Sequence, residues 1–365
     1  MEVLLLNSFD ILKRLCRVKA TSGSERTVRD IILSEIKNYA DKIQVDALGN
    51  IIAYKKGKSP AKTRLMISCH MDEVGFIVMD IMEDGLLKFA PVGGVKASTA
   101  LCTTVCVGEN EVPGVIGFKP VHLLGSEEKK MPLDYDKLYI DIGAKSREQA
   151  LKSVKLGDFI HFSSPFYVSD QNGLLMQKTN DFQGKLIRAK ALDDRIGCFL
   201  LIQMLKKNFL HDMYFVFTVQ EEIGLRGASV AAYTVEPEVA IIVEATTASD
   251  ILGIDDSKKV CSLNEGTVVS FMDRATVYDR KLYQLALDIA RVKDIKVQPK
   301  CSVTGGNDAG AIHKTKSGIR TIALSLPCRY LHSSMCQISG DDIINTERLL
   351  NELSFEITEG ALSGR

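Results

Sequence analysis

Residues 64–72 read RLMISCHMD. Leu65, Met66 and Ile67 begin a mostly apolar run of strand length that stops at His70. A run of this kind, without alternation, suits a strand in a sheet covered on both faces. A histidine at the carboxyl end of such a strand points into the crevice where α/β proteins hold their ligands. Asp72 follows at i+2, where its carboxylate can accept the second ring N–H and fix the tautomer of a metal-bound imidazole. The competing reading of the same residues is a satisfied core histidine beside a surface aspartate.

Upstream, residues 8–19 and 24–39 have amphipathic helical spacing, and TSGSE (21–25) between them supplies caps and a glycine breaker. VDALGNIIAYKKG (45–57) reads as strand, turn at Gly49-Asn50 and strand. Downstream of Asp72 the pattern changes. From about 74 to 164 the segments are short, β-branched and punctuated by glycine, as in VGFIVMDI, KLYIDIG and DFIHFSS, with SREQALKSV (146–154) the main helical exception. After about 165, αβ alternation returns. Residues 194–207, 281–292 and 347–360 have helical periodicity, and MYFVFTVQ (213–220), EVAIIVE (238–244) and IRTIALSLP (319–327) are buried-strand runs. The expected organisation is one discontinuous α/β domain from 1–72 and 165–365, interrupted by a small β-rich domain at 73–164.

The 365 residues carry 46 basic and 46 acidic side chains, with 45% apolar and 25% charged residues. The balance gives no basic excess for nucleic acid or an anionic membrane. No apolar run approaches the roughly 20 residues of a membrane helix. The opening MEVLLLNSFD lacks the basic flank of a signal peptide. Lys55-Lys56 and the mixed-charge stretch 127–130 read as solvated loops. Nine irregularly spaced cysteines suit free thiols in a reducing cytosol. Cys102 and Cys106 lack a second pair and read as small apolar residues rather than a zinc site. A chain this long needs no metal staple to fold, so any metal is expected to be catalytic.

Other placements bear on chemistry. Asp193 and Asp194 precede a helix, where adjacent acids ordinarily serve as cap and dipole partner. Glu221 and Glu222 follow the strand 213–220. Their mutual repulsion is relieved either by a dication or by the start of a helix. Glu244 terminates EVAIIVE, and His332 lies in the loop LPCRYLHSS after another buried strand. Together these edges supply two histidines and several carboxylates with no required cysteine, a donor set suited to two-metal hydrolysis. GGNDAGAIH (305–313) lacks the Lys-Ser/Thr ending of a phosphate loop and is expected to shape the pocket, with Asn307 and Asp308 near the site. His313, His122, His161 and His211 carry no catalytic expectation. No G-x-S-x-G elbow is present.

In order along the chain stand CHMDEVGF, KALDDRIG, VQEEIGLRGA, EATTASD, FMDRATVYD, GGNDAGAIH and PCRYLHS. This series resembles the M42 family of metallo-aminopeptidases, which includes glutamyl aminopeptidases and the tetrahedral TET peptidases. The likeness runs nearly end to end and includes GVIGFKPVHLL and IDIGAKS in the inserted segment. The resemblance implies a mixed-sheet zinc-peptidase (phosphorylase/hydrolase-like) catalytic domain whose insertion serves oligomer contact and covers the active-site entrance. It implies two divalent ions per subunit, Zn2+ or Co2+. Asp193 would bridge them, His70 and Glu244 would complete one site, and Glu222 and His332 the other. Glu221 would be the general base toward a bridging water, Asp72 would orient His70, and Asp194 would support Asp193 across a cis peptide bond. Cations ~3.5–4 Å apart would acidify that water and polarise the scissile carbonyl. One of them would also hold the substrate's α-amine. The family often has Asp where Glu244 stands. Peptide substrates, dimers, a dodecamer and a cytoplasmic location follow as expectations, with no nucleic-acid or membrane partner.

Two rivals remain: a related metal-dependent hydrolase (deacylase or glycosidase), since some M42-like chains are called endoglucanases, and a non-catalytic assembly protein. The chain has no Trp for a sugar platform, and the base and ligand positions are intact.

Overall fold

The computed structural model describes residues 8–126, 131–176 and 181–362. Residues 1–7 of the opening segment and the mixed-charge stretch 127–130 lie outside the described residues. The strand read at 64–70 is Leu65–His70, buried throughout. It sits in an eight-stranded sheet whose central strands Met213–Thr218, Leu65–His70, Val239–Thr247 and Arg320–Cys328 run parallel in that order. Ile51–Lys55 and Lys42–Val45 extend one edge antiparallel. Thr267–Val269, antiparallel to Arg320–Cys328, and then Val297–Pro299 extend the other.

Successive strand residues point to opposite faces, and both faces are covered. Leu65 and Ile67 pack under the helices Ser8–Arg17, Arg26–Ile36, Leu192–Leu205, Arg280–Val292 and Gly340–Thr358. Met66 packs on the opposite side with Arg226–Val235 and Ala309–Ile312. Double coverage is the reason these strands lack polar alternation.

Six antiparallel strands close into a barrel in the order Gly75–Ile81, Leu87–Val92, Leu138–Asp141, Val112–Phe118, Thr104–Val107 and Phe159–Phe162. It has its own core, centred on Phe76, which meets Phe89 and Phe162 edge to face at 5.2 and 5.3 Å. Some glycines of this segment are dictated by close approach. A Cβ on Gly117 would lie 2.5 Å from the Tyr139 ring.

Two elements depart from the sequence reading. Tyr167–Asp170 and Lys185–Ala189 are strands that join Cys336–Ser339 in a separate three-stranded sheet, before any helix resumes. Their last partner is too distant in sequence to leave a local signal. The final helix starts at Gly340 rather than 347, because Ser339 caps it: its hydroxyl accepts from the Asp341 N–H, with Asp341 and Asp342 in the first turn.

His161 is buried on the barrel strand Phe159–Phe162. Burial pushes its pKa down to about 4, against the opposing influence of Glu73. The folded value lies below the ordinary ~6.5, so the native state binds fewer protons than the unfolded chain. The neutral imidazole's contribution is therefore complete above ~6.5 and is lost as pH falls toward about 4. His161→Phe should flatten the fall in melting temperature over that window. An unaltered slope would assign the acid sensitivity to other groups.

Candidate active site

The carboxyl ends of the central strands and the loops beyond them surround a cavity of about 820 Å³. His70, Asp193, Glu221, Glu222, Glu244 and His332 all line it. His70 Nε2 lies 3.2 Å from Asp193 Oδ1, and His332 Nε2 lies 3.4 Å from Asp193 Oδ2 and 3.3 Å from Glu222 Oε1. Asp193 thus presents one oxygen to each imidazole. Potential ligand atoms of His70, Asp193 and Glu222 fall within 4.8 Å of one another.

Each arm is positioned by a backbone device. Asp72, fully buried, lies with Oδ1 3.4 Å from His70 Nδ1. Its two oxygens accept the N–H groups of Glu221 and Glu222 at 3.0 and 3.1 Å. One carboxylate therefore ties the end of the first strand to the acidic turn after Met213–Thr218. That turn is fixed from behind by Asn50, which accepts from the Val219 N–H and donates to the Gly227 carbonyl. Gly227 is required there, since a Cβ would lie 2.2 Å from Asn50 Oδ1.

Asp193 and Asp194 divide their work. The peptide bond between them is cis, and neither has helical φ/ψ. Asp193 faces the imidazoles. Asp194 turns inward and accepts from the Gly197 N–H at 2.9 Å and the His70 N–H at 3.3 Å. The capping reading thus describes Asp194, and Asp193 reaches the cavity. Several non-glycine residues beside the site adopt left-handed backbone, among them Ala191, Gln220, Leu225, Tyr330 and His332. Such conformations concentrate where a site over-determines its geometry.

Glu244 does not terminate its strand. Val239–Thr247 runs three residues further, because Ala245, Thr246 and Thr247 keep pairing with Leu326, Pro327 and Cys328. Its carboxylate accepts from Asn307 Nδ2 at 2.7 Å and Ser325 Oγ at 2.8 Å, both on Oε1. No hydrogen bond to Oε2 occurs among the described residues. Asn307 also donates to the Tyr278 hydroxyl, which donates to Asp273. FMDRATVYD and GGNDAGAIH therefore meet as a support for Glu244. Asp308 accepts from Thr218 Oγ1 at 2.5 Å. His313 bonds its own helix at Ala309, and His211 pairs with Glu359 at 2.8 Å.

The electrostatics are those of crowded buried acids. Burial raises Glu221 well above the carboxylate range; His70 draws it down, but the neighbouring acids Glu222, Asp308 and Asp72 add to the rise. Burial pushes Glu244 up to about 7. For His332, burial acts downward, but Asp193 and Glu222 outweigh it and lift the imidazole to about 11. Glu222 Oε1 is buried without a hydrogen-bond partner, and His70 Nδ1 faces only the Asp72 carboxylate at 3.4 Å. Carboxylates that converge on the Nε2 atoms of two imidazoles, with one buried carboxylate oxygen left without a hydrogen bond, fit a divalent cation.

Three contributors escaped the sequence reading. Ser325 is a polar break in an apolar strand, a faint signal. Gly94, whose carbonyl lies 3.2 Å from His332 Nδ1, and Lys300, which lines the cavity, carry none.

Known proteins supply an independent comparison. The family profile described as M42 glutamyl aminopeptidase matches residues 49–349. The lysyl aminopeptidase of Pyrococcus furiosus is 32% identical over 96% of this chain and 97% of its own length. The TET aminopeptidase of a marine sediment Thaumarchaeota archaeon superposes with a TM-score of 0.89 at 34% identity, covering 97% of this chain and 98% of that one. The TET1 peptidase of Pyrococcus horikoshii, described as assembling into a tetrahedron or a large octahedral shell, gives 0.80 at 32% identity over 96% and 99%. The match over most of its length, with the same fold in each solved relative, makes this chain a member of the M42 peptidase family, hydrolases that act on peptide N-termini.

Proposed function

We propose that the chain is a dinuclear metal-dependent aminopeptidase whose base is Glu221. The observation that carries this reading is the convergence of His70, Asp193, Glu222 and His332 at 3.2–3.4 Å separations. His70 and Glu244 would hold one divalent ion, zinc or cobalt, Glu222 and His332 a second, and Asp193 both. The free Oε2 of Glu244 is the atom left for this role. Such ions supply an acidified water and a polarised carbonyl. Glu221 accepts the water's proton and returns it to the leaving amine. Asp72 holds both the His70 ring and the Glu221 backbone, so metal ligand and base are set by one carboxylate. Asp194 fixes His70 through its backbone N–H.

The same reading assigns residues 1–72 and 165–365 to a catalytic domain and 73–164 to an inserted domain that covers the entrance. The Gly94–His332 contact supports that cover. Self-association into dimers and a dodecamer is proposed from the relative that assembles into a tetrahedron or a large octahedral shell and from a further solved relative, 32% identical, described as a dodecamer. Light scattering tests it, and a monomer would refute it. A cytoplasmic setting accords with nine free cysteines. No described helix is long and apolar enough to cross a membrane.

Exhaustive chelation should abolish hydrolysis of aminoacyl-p-nitroanilides, and cobalt or zinc should restore it with two ions bound per subunit. A single ion at full activity would defeat the dinuclear scheme. Hydrolysis of cellulose or of acylated amines in place of aminoacyl substrates would favour the rival hydrolases. Absence of metal uptake would favour a non-catalytic assembly role. The family leaves the preferred residue open, since its description names glutamyl substrates and the Pyrococcus furiosus relative lysyl ones.

A further inference from the structure

EATTASD and PCRYLHS each carry a charged residue that the proposed chemistry does not use. They are Asp250 and Arg329, and the fold brings them together. Arg329 Nε donates to Asp250 Oδ1 at 2.7 Å, and Nη2 donates to Oδ2 at 2.8 Å. A two-pronged pair of this kind fixes direction as well as distance. Ion pairs near the surface usually contribute little, but a bidentate guanidinium–carboxylate pair in fixed surroundings is the exception. The surroundings here are fixed. Only 10% of the Asp250 side chain is exposed, and its Oδ2 also accepts the Leu263 N–H at 3.0 Å. Just before it, the Ala248 N–H donates to the Cys328 carbonyl, and Ser249 Oγ accepts the Val260 N–H.

Arg329 stands at the root of the loop that carries His332. It exchanges both backbone hydrogen bonds with Gln337, at 2.9 and 3.0 Å, and the chain between them leaves the sheet. Tyr330 and His332 there adopt left-handed backbone. The His332 side chain is 31% exposed, against 6% for His70, 11% for Asp193 and 5% for Glu222. The least enclosed of these four side chains therefore sits on a strained loop, and packing alone holds it least. The fork ties the root of that loop to the segment around Asp250, and both line the cavity, through Tyr330, Leu331 and His332 on one side and Ser249 and Ile251 on the other. We propose that Arg329 and Asp250 are a positioning pair, which presets the loop so that His332 Nε2 stands between Asp193 and Glu222 before an ion arrives. The inference rests on the dinuclear reading above. Lysine cannot substitute, because a point charge does not reproduce the fork.

The test titrates the chelated protein with cobalt and follows uptake by calorimetry and by counting bound ions. Wild type should take up two ions per subunit. Arg329→Gln should weaken one of them by about 10–100-fold, the loss typical when a partner behind a metal ligand is removed, and leave the other unchanged. Arg329→Lys should resemble Arg329→Gln. Asp250→Asn, which keeps the shape and removes the charge, should reproduce the loss and serves if Arg329→Gln does not fold. The cobalt concentration for half-maximal turnover of an aminoacyl-p-nitroanilide should rise by the same factor, with most of kcat returning at saturation. Arg320→Gln controls for stability alone. It breaks a similar fork, to Asp279 at 2.7 and 3.1 Å, at the opposite end of the same strand, and should leave both ion affinities unchanged. Arg329→Gln combined with His332→Ala should bind metal no more weakly than His332→Ala alone, because the fork acts through that ring. Unchanged affinities in both Arg329→Gln and Asp250→Asn, full recovery in Arg329→Lys, or losses that add to that of His332→Ala overturn the positioning role. Uptake of fewer than two ions by wild type refutes the dinuclear reading itself.

Discussion

Replacing Glu221 with glutamine should lower kcat by about 10²–10⁴-fold, the range expected when a positioned general base is removed. The substitution preserves side-chain shape, and no described residue hydrogen-bonds the Glu221 carboxylate, so no protein contact is forfeited. Its backbone remains held by Asp72 through the 3.0 Å bond from the Glu221 N–H. Metal content, fold and KM should therefore change little. The comparison that gives the experiment its force is Glu222→Gln. Glu222 is the adjacent acid, but its carboxylate lies 3.3 Å from His332 Nε2 and in the cluster with Asp193 and His70. That variant should lose bound metal as well as rate. Adjacent acids of the same composition would then fail in different ways, one through proton transfer and the other through binding. Full turnover by Glu221→Gln would exclude it as the base, and loss of metal from both variants would deny the division of labour.

The parts of this site legible in the sequence are those where a local pattern collides with chemistry. His70 interrupts an apolar strand at its end, and Glu221-Glu222 crowd two charges into one turn. The doubly covered central strands were legible because they lack alternation. Asp193 and Asp194 were ambiguous in the sequence, because a cap and a site acid look alike until the backbone between them turns one inward and the other out. Glu244 was found for a partly mistaken reason. The apolar run stops there, but the strand continues through Ala245, Thr246 and Thr247, and it is Asn307 and Ser325 that hold its carboxylate. Lys300 was silent because its place in the cavity lining and its burial arise only in the folded chain. Both are tertiary facts. The sheet formed by Tyr167–Asp170, Lys185–Ala189 and Cys336–Ser339 was silent for the same reason.

The largest stability effect is expected not at the acids of the cavity but beneath them. Glu73, the residue after Asp72, is 1% exposed and receives Lys190 Nζ at 2.7 and 2.6 Å on its two oxygens, the Ala20 N–H at 3.0 Å and Arg195 Nη2 at 3.4 Å. Arg195, fully buried, also donates to the Leu15 carbonyl, and Lys190 to that of Val18. The three charges connect the segment carrying His70 and Asp72 to the segment carrying Asp193 and to the first helix. Glu73→Gln keeps the shape but leaves two cations buried with no counter-charge. Breaking a buried ion group in this way costs about 3–5 kcal/mol, and the melting temperature should fall by several degrees. Removing a cation as well, in Glu73→Gln/Lys190→Met, should be less damaging than the sum of the two single changes, because the members of one network are coupled. Acid should reproduce the single variant. Burial raises the Glu73 carboxyl, but Lys190 and Arg195 outweigh it and hold the group below its usual range. Its contribution is thus present above the ordinary glutamate value near ~4.3 and is withdrawn as pH falls through the lower folded value. Glu73→Gln should lose that part of the pH dependence while wild type retains it. If the substitution costs less than about 1 kcal/mol, the buried cations are neutralised by something other than Glu73, and the cluster is not what joins His70 to Asp193.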